Sequence, residues 1–231
     1  TTTVSGAGIA YNAFSEFNVV KDTTVNLYQP TGTKALVNVV QSTNGEASAI
    51  NGTLNTLVGA PGSATGGSNV FIVDPNGFVV GASGVINASR LTMSTATQAF
   101  GQALLDEAAT GNSSYAERLF GGTEDLSAAS IETYGVINAS RLDLRAGARM
   151  LLGGQINVVD TAPDAAGVVS VVNTEAIEQA SGVSTQGGVL RFTSGTGGTE
   201  ISGQITARRN GAGGVVTGKS EGDITLKSGV I

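Results

Sequence analysis

Short apolar runs separated by turn-forming residues recur along the whole chain. Residues 70–73 form a continuous apolar run, which predicts a strand buried on both faces, and residues 78–80 predict the strand that follows it. Residues 35–40 and 49–54 predict two more short strands, with a turn at Asn44-Gly45 between them. The pattern therefore favours an all-β protein built from many short strands.

The octapeptide Gly-Val-Ile-Asn-Ala-Ser-Arg-Leu occurs twice, at residues 84–91 and 135–142. Repetition of eight identical residues indicates one structural unit used more than once, as in a solenoid. Shorter matches follow: residues 154–156 match 203–205, and residues 167–169, 188–190 and 214–216 match one another. A single coil cannot bury its inward Val, Ile and Leu, whereas coils stacked roughly 4.8 Å apart bury a continuous column. We therefore predict a single-stranded parallel β-helix.

Three features complete the predicted organisation. Residues 1–30 place Phe14, Phe17 and Val19 among polar neighbours, as a segment that caps the open end of a solenoid would. Residues 97–120 have apolar residues near helical spacing and predict a short helical insert. The interval from Asn87 to Asn138 then corresponds to about two coils plus this insert. We expect residues 1–231 to form one domain of a longer repeat protein.

Composition narrows the possible functions. The net charge is −6 and the 12 basic residues are spread along the chain, which argues against nucleic-acid binding. The chain has no Cys and no His, so we expect no disulfide, no cofactor and no metal site. No apolar run approaches ~20 residues, so we expect no membrane insertion. Adjacent acidic pairs occur only at 106–107 and 124–125, in or beside the predicted insert, and an enzyme, such as a β-helical polysaccharide-degrading one, is disfavoured.

Three stretches of the chain resemble the secretion domain of two-partner secretion exoproteins, the filamentous haemagglutinin family. Residues 8–19 resemble the family's N-terminal segment with spaced Asn and Phe, and residues 35–54 its following strand pair. Residues 70–92 are similar to its Asn-Pro-Asn-Gly-Ile turn and the Gly-x-Ile-Asn-x-Ser-Arg tract after it. Asp74 stands in place of the first Asn of that turn and Phe78 in place of Ile; both changes keep the turn chemistry.

The resemblance implies a right-handed parallel β-helix with an N-terminal cap and no enzymatic activity. It also implies export across the inner membrane with a signal peptide, although none is visible at Thr1. The partner would be an outer-membrane β-barrel transporter that recognises the domain through periplasmic domains. Folding at the cell surface would then nucleate the β-helix of a secreted adhesin or cytolysin. We expect a monomer; a carbohydrate-binding adhesin module is the alternative, with Tyr28, Tyr115 and Tyr134 as weak aromatic candidates.

The candidate residues for transporter recognition or fold nucleation belong to three groups. For the turn, a folding role is favoured over a transporter contact, and for the N-terminal group a hydrophobic cap is favoured over a recognition patch. For the third group, stacking and surface pairing are favoured, because Asn138 and Arg141 repeat Asn87 and Arg90 at turns predicted to be equivalent. The three groups are Asp74, Pro75, Asn76 and Gly77; Asn12, Phe14, Phe17 and Asn18; and Asn87 and Arg90.

Overall fold

Short β-strands and two helices make up the part of the chain that this computed structural model describes, residues 2–159, 188–209 and 212–227. The strands are β1 (Thr3–Val4), β2 (Ile9–Phe14), β3 (Thr24–Gln29), β4 (Ala35–Val40), β5 (Ser48–Ile50), β6 (Thr53–Val58), β7 (Asn69–Val73), β8 (Phe78–Val80), β9 (Val85–Ser94), β10 (Ile131–Thr133), β11 (Val136–Arg145), β12 (Met150–Leu152), β13 (Gln155–Val159), β14 (Val189–Ser194), β15 (Thr199–Ile201), β16 (Gln204–Arg209), β17 (Ala212–Gly213), β18 (Val215–Ser220) and β19 (Ile224–Leu226). The helices, α1 (Gln98–Thr110) and α2 (Ser114–Gly121), lie where the helical insert was predicted.

Parallel pairing joins these strands into two sheets. The larger sheet has 13 strands, and its main path runs β1-β2-β4-β7-β9-β11-β13-β16-β17. The smaller sheet has 6 strands in the order β5-β8-β10-β12-β15-β19. Among the described strands, antiparallel pairing occurs only between β1 and β2 and between β16 and β17. Parallel neighbours need a crossover, and from β4 onward the chain passes through the other sheet before it returns. The prediction of a mostly β protein with parallel strands is confirmed.

The repeated octapeptide stacks on itself. Strands β9 and β11 pair in register, so that Asn87 lies beside Asn138 and Leu91 beside Leu142. The shorter matches also pair, residues 155–156 with 204–205 and residues 189–190 with 215–216. The predicted repeat at 167–169 lies outside the described residues. Because Asn87 and Asn138 are direct neighbours, the 50 residues between them form one layer plus the two helices. The prediction of two coils in this interval was wrong.

The main core is a column of aliphatic side chains that continues from layer to layer. Successive paired strands place one such side chain directly on the next: Ala10, Leu36, Val70, Leu91, Leu142 and Leu190. Each of these side chains is at most 1% exposed. Burial of a Val or Leu side chain contributes about 1.5–3 kcal/mol. Each new layer is therefore stabilised by packing its side chain of this column on that of the previous layer.

A second core lies on the outer face of β2, β4 and β7, beneath the two helices. Tyr11, Val37 and Phe71 project from these strands into a cluster with Phe100 of α1 and Leu119 of α2. Strand β7 is therefore buried on both faces, as predicted for residues 70–73, whose exposure does not exceed 6%. The helices act as a cover for the first strands of the larger sheet.

Local contacts explain how the helices begin and end. The Thr97 hydroxyl accepts a hydrogen bond from the Phe100 amide at 3.3 Å and caps α1. Gly111 ends α1 with φ +75°. The carboxylate of Glu107 then accepts hydrogen bonds from the amides of Tyr115 and Ala116, at 2.7–3.0 Å, and satisfies the first turn of α2. Neither helix has the length and apolar character needed to span a bilayer.

Residues 49–54, predicted as one strand, are divided between β5 and β6. The chain changes sheet at Gly52, where a Cβ atom would lie 2.2 Å from the carbonyl oxygen of Val20 and 2.5 Å from that of Thr23. This close backbone approach excludes any side chain and separates the two strands. Val20 and Thr23 belong to residues 1–30, the predicted cap, in which β2 and β3 already pair in parallel with β4 and β6. The capping role of this segment stays a prediction.

Candidate functional site

The Asp74–Gly77 tetrapeptide forms the predicted turn between β7 and β8. The Gly77 amide donates to the Asp74 carbonyl at 3.1 Å, and the Asp74 carboxylate accepts from the Asn76 amide at 2.9 Å. Gly77 has φ +94°, and a Cβ atom there would lie 2.3 Å from the carbonyl oxygen of Ser130. Both the backbone conformation and the space therefore require glycine at this position.

The turn is bonded to residues far from it in sequence. The Asp74 carboxylate accepts from the hydroxyl of Ser48 at 2.5 Å and from its amide at 3.2 Å. The Asn76 side-chain amide donates to the Ser42 carbonyl at 3.1 Å, and the Ser127 hydroxyl donates to the Pro75 carbonyl at 2.6 Å. The turn thus connects the layer before it to the layer after it, and its polar groups are largely used inside the protein.

Asp74 is a fully buried carboxyl group, with 0% exposure. Burial raises the pKa of Asp74 above its ordinary value, and the hydrogen bonds from Ser48 and the Asn76 amide offset part of this effect. An Asn side chain, which the family turn has here, would occupy the same space without a titrating group. Asp74 therefore introduces a pH-sensitive element into an otherwise neutral turn.

Asn18 lies next to the turn through strand β5. Its side-chain oxygen accepts from the amide of Ala49 at 2.9 Å, and Ala49 directly follows Ser48, which binds Asp74. Asn18 itself is exposed. Val19 pairs with Ile50 in a parallel bridge, so the N-terminal segment starts the smaller sheet. The structure thus brings Asn18 and the turn to neighbouring positions of one short strand.

The other N-terminal candidates lie at the first layer of the larger sheet. The Asn12 side-chain amide donates to that of Asn38 at 2.9 Å, and Thr2 donates to Asn12 at 2.7 Å. Phe14 and Phe17 form an edge-to-face ring pair with centroids 5.3 Å apart. Phe17 is buried and Phe14 half-buried against the inner core, so both rings contribute to packing at this end.

Asn87 belongs to a ladder of five asparagine side chains. In each step the amide nitrogen donates to the side-chain oxygen of the preceding Asn at 2.9 Å. The prediction that Asn87 and Asn138 hydrogen-bond between layers is confirmed, but both lie within strands β9 and β11, and their predicted position at turns was wrong. The ladder runs through Asn26, Asn55, Asn87, Asn138 and Asn157.

Sequence reasoning missed Asn26, Asn55 and Asn157, although a signal for them exists. Each follows an aliphatic residue within a short apolar run, as Asn87 and Asn138 do. Strand register places these positions opposite one another in neighbouring layers. An apolar residue followed by Asn in consecutive predicted strands is therefore a usable sign of such a ladder.

Arg90 and Arg141 lie side by side on the outer face of β9 and β11, beyond the area that the helices cover. Two adjoining cavities of about 210 and 240 Å³ open on this face. Phe120, Arg141, Asp143 and Arg145 line both of them. We call this surface, together with Arg90, Arg191 and Lys219, which each line one cavity, the cationic cleft.

A buried ion network closes one side of the cationic cleft. The Arg145 guanidinium donates to Glu124 at 2.9 Å, to Asp143 at 2.7 Å and to the Leu119 carbonyl, at the end of α2, at 2.6 Å. The Ser94 hydroxyl donates to Glu124 at 2.7 Å. Arg145 therefore attaches the helical segment to the larger sheet. This network joins residues from three elements, and nothing in the local sequence marked it.

Tyr11 is the one buried side-chain polar atom without a hydrogen-bond partner among the described residues. Its hydroxyl lies in the core beneath α1. Burial, and secondarily the charge of Glu107, raises the pKa of Tyr11 to about 12. The phenol is therefore held neutral, with its oxygen contributing no hydrogen bond to the fold.

The tyrosines proposed for sugar contacts lie in different places. Tyr115 packs edge-to-face on Phe100 with ring centroids 5.4 Å apart, and the Arg118 guanidinium lies over both rings. Tyr28 is half-buried in β3. Tyr134 is 45% exposed and donates a hydrogen bond to Glu132 at 2.8 Å. These positions do not form one aromatic surface.

Comparison with known proteins supplies the family. A search of curated proteins and a search of solved structures each found no significant match. The family model described as the TPS secretion domain matches residues 1–226. This match covers nearly the whole chain and agrees with the resemblance carried by residues 8–19, 35–54 and 70–92. The chain therefore belongs to the family of TPS secretion domains, the domains through which two-partner secretion exoproteins are exported.

Proposed function

We propose that this domain is both the address and the folding nucleus of its exoprotein. The family is one of secreted exoproteins with a cognate outer-membrane transporter, and it is not an enzyme family. The periplasmic domains of a β-barrel transporter would recognise this secretion domain. The domain then folds at the cell surface as a right-handed, single-stranded parallel β-helix. The full exoprotein would be an adhesin or a cytolysin.

The stacked order of the strands supports the nucleation role. Each strand from β4 to β16 in the main path pairs with a strand of the preceding layer, and the apolar core continues through these layers. A layer therefore gains its burial and hydrogen bonds only when the previous layer is already in place. Folding outside the membrane releases free energy, typically about 5–15 kcal/mol for a domain, which opposes return of the chain.

The observation that carries the proposal is the set of hydrogen bonds made by the Asp74–Gly77 turn. Its side chains bind Ser42 and Ser48 of the preceding layer, and the Pro75 carbonyl binds Ser127 on the other side. A turn that connects consecutive layers is well placed to set their register early in folding. This favours the folding role of the turn over direct contact with a transporter.

The turn gives a direct test by replacement of both Asn76 and Gly77 with Val in the full-length exoprotein. Valine at 77 would need φ near +94° and would contact Ser130 O, while valine at 76 removes the bond to Ser42. We expect secretion, measured as exoprotein in the medium of cells with the transporter, to fall at least tenfold. The matched control is Asn44→Val with Gly45→Val in the other predicted turn. Gly45 also has a positive φ, +78°, so the control shares the backbone strain, but a Cβ atom at 45 meets nothing within 4 Å and, among the described residues, Asn44 bonds only to those of its own turn.

Normal secretion of the Asn76→Val, Gly77→Val variant would remove the turn from the mechanism. Equal loss in the variant and in the control would show a general sensitivity of surface turns. A second measurement distinguishes recognition from folding: binding of the unfolded domain to the transporter's periplasmic domains should be unchanged by these substitutions.

For the N-terminal group we propose a mainly structural cap with one accessible contact. Phe14 and Phe17 contribute their rings to packing, and Asn12 bonds to Asn38 in the neighbouring strand. Asn18, with exposed Val20 nearby, presents the remaining surface for a partner. Replacement of Asn18 by Asp should weaken capture by the periplasmic domains if this surface is the address.

A further inference from the structure

The cationic cleft concentrates charge that the sequence distributes widely. Arg90, Arg141, Arg145, Arg191 and Lys219, five of the chain's 12 basic residues, line the two adjoining cavities. Paired strands β9, β11, β14 and β18 bring them together from positions up to 129 residues apart. The remainder of the chain is acidic, since the net charge is −6.

The two carboxylates of the cleft offset only part of this charge, since five cationic side chains line it; Asp143, which lies beside Arg191 in the strand register, is the one that also attracts Arg141. Glu124 and Asp143 both bind Arg145, at 2.9 and 2.7 Å. Within the described part of the chain, the side chains of Arg141, Arg191 and Lys219 make no hydrogen bond or ion pair. Three cationic groups are therefore available to a ligand on one outer sheet face.

Arg141 is destabilised in its charged form by its position in the cationic cleft. It is half-buried, with Arg191, Arg90 and Arg145 as cationic neighbours and Asp143 as an anionic one. Burial first, and the charge of Arg191 next, lowers the pKa of Arg141. An oxyanion placed between Arg141 and Arg191 would offset this repulsion and would accept planar, charge-assisted hydrogen bonds from the guanidinium groups.

The non-charged lining of the cleft indicates the rest of the ligand. Phe120 lines both cavities, is 36% exposed, and has its ring 4.8 Å from that of Phe71. An exposed ring at this fixed position offers an apolar face on which a sugar ring can stack. Thr92 lines one cavity, and Thr193 and Thr217 the other, so hydroxyl groups are present for hydrogen bonds to a sugar.

We propose that the cationic cleft binds an anionic saccharide, with its oxyanion between Arg141 and Arg191 and a sugar ring against Phe120. The oxyanion belongs to either a uronate carboxylate or a sulfate ester, because each of them presents a pair of oxygens that can accept two hydrogen bonds from one guanidinium. An acidic peptide would use the cations but has no need of the ring of Phe120. This role is separate from transporter recognition, which is proposed for the surface at Asn18.

The test is direct binding to the 231-residue chain by isothermal titration, with defined probes. Heparin-derived hexasaccharide supplies sulfate, hexagalacturonate supplies carboxylate, and maltohexaose is the neutral probe. We expect one of the two anionic probes to bind, and its affinity to fall as NaCl rises because the contact is ionic. The replacements Arg141→Ala and Arg191→Ala should each weaken binding by about ten- to a hundredfold, the usual effect of one charge-assisted hydrogen bond.

Two further variants make the result specific. Arg149→Ala removes an exposed arginine directly before β12 and should leave binding within twofold. Phe120→Ala keeps all charges and should weaken binding of the saccharide but not of polyglutamate. Thermal unfolding of each variant checks that the fold is intact.

Several outcomes would overturn the proposal. They are absence of binding by both anionic hexasaccharides at 0.15 M NaCl, and an equal loss in Arg149→Ala, which would indicate non-specific attraction. Polyglutamate binding as tight as the saccharide, with no effect of Phe120→Ala, would assign the cleft to an acidic protein segment instead. Preference for the galacturonate or the heparin probe identifies the source of the oxyanion, and either preference supports the proposal.

Discussion

Replacement of Asn87 by Ala removes the central step of the asparagine ladder. Asn87 is 1% exposed, donates to Asn55 and accepts from Asn138, both at 2.9 Å. The replacement leaves the Asn55 oxygen without this donor and the Asn138 amide without this acceptor. Each buried polar group that loses its partner costs about 1–3 kcal/mol, so we expect a loss of about 2–6 kcal/mol in the free energy of unfolding.

Asn26→Ala is the matched control, because Asn26 is half-buried and lies at the end of the ladder with one bond. Its expected loss is about 0.5–1.5 kcal/mol. Both variants are measured by urea unfolding of the 231-residue chain, and an unchanged slope with urea shows that the transition stays comparable. In thermal unfolding, a chain of this size shifts its Tm by roughly 2–4 °C per kcal/mol.

Equal losses in Asn87→Ala and Asn26→Ala, within about 0.5 kcal/mol, would refute the reasoning. The ladder would then be a set of independent surface-like bonds, and its burial would carry no special weight. A loss at Asn87 that clearly exceeds the control supports the view that the buried amides fix the alignment of consecutive layers.

Three further predictions concern buried polar groups. Tyr11 has a folded pKa of about 12 against an ordinary 10.0, so its contribution to stability is constant below about pH 10 and falls by roughly 2–3 kcal/mol towards pH 12. Tyr11→Phe should abolish this loss in urea unfolding, and a pH profile identical to that of the wild type would contradict the prediction. Burial also raises the pKa of Asp74, so folding disfavours its ionised form. The free energy of unfolding of the wild type should therefore fall relative to that of Asp74→Asn as pH rises through the acid range above about 4. A difference between the two proteins that stays constant from about pH 3 to 7 would show that burial has no such effect. Arg145→Ala leaves Glu124 buried and unpaired and should cost about 3–5 kcal/mol, whereas Arg118→Ala, in an exposed pair, should cost about 1 kcal/mol or less; comparable losses by thermal unfolding would refute the distinction.

Repetition made much of the fold predictable. The octapeptide at 84–91 and 135–142 stacks residue on residue, because identical side chains on parallel neighbours fill the same inward and outward positions. The turn at Asp74–Gly77 was predictable because Pro75 fixes its own φ and Gly77 permits the positive φ that the turn requires. These features depend on residues close in sequence or identical in letter.

Features that depend on long-range contacts were not predictable. The pattern of residues 49–54 predicts one strand, because nothing in it shows that the backbone of Val20 and Thr23 lies against Gly52. The cationic residues read as scattered, since Arg141 and Arg191 become neighbours only when β11 pairs with β14. Likewise, the length of the interval between Asn87 and Asn138 suggested an additional coil, because the helices add residues without adding a layer.

The helical cover has a consequence for a chain that reaches the cell exterior from its N-terminus. Strands β2, β4 and β7 end by residue 73, but α1 and α2 that cover their outer face end only at residue 121. While the intervening 48 residues emerge, the side chains of Tyr11, Val37 and Phe71 face water. The partly folded stack then exposes an apolar surface on the outer face of these three strands. Aggregation of the exported chain would be lowest if residues 74–121 emerge quickly, or if the transporter shields the exposed face until they do. The position of the helices in the sequence would therefore set how fast this segment has to be translocated.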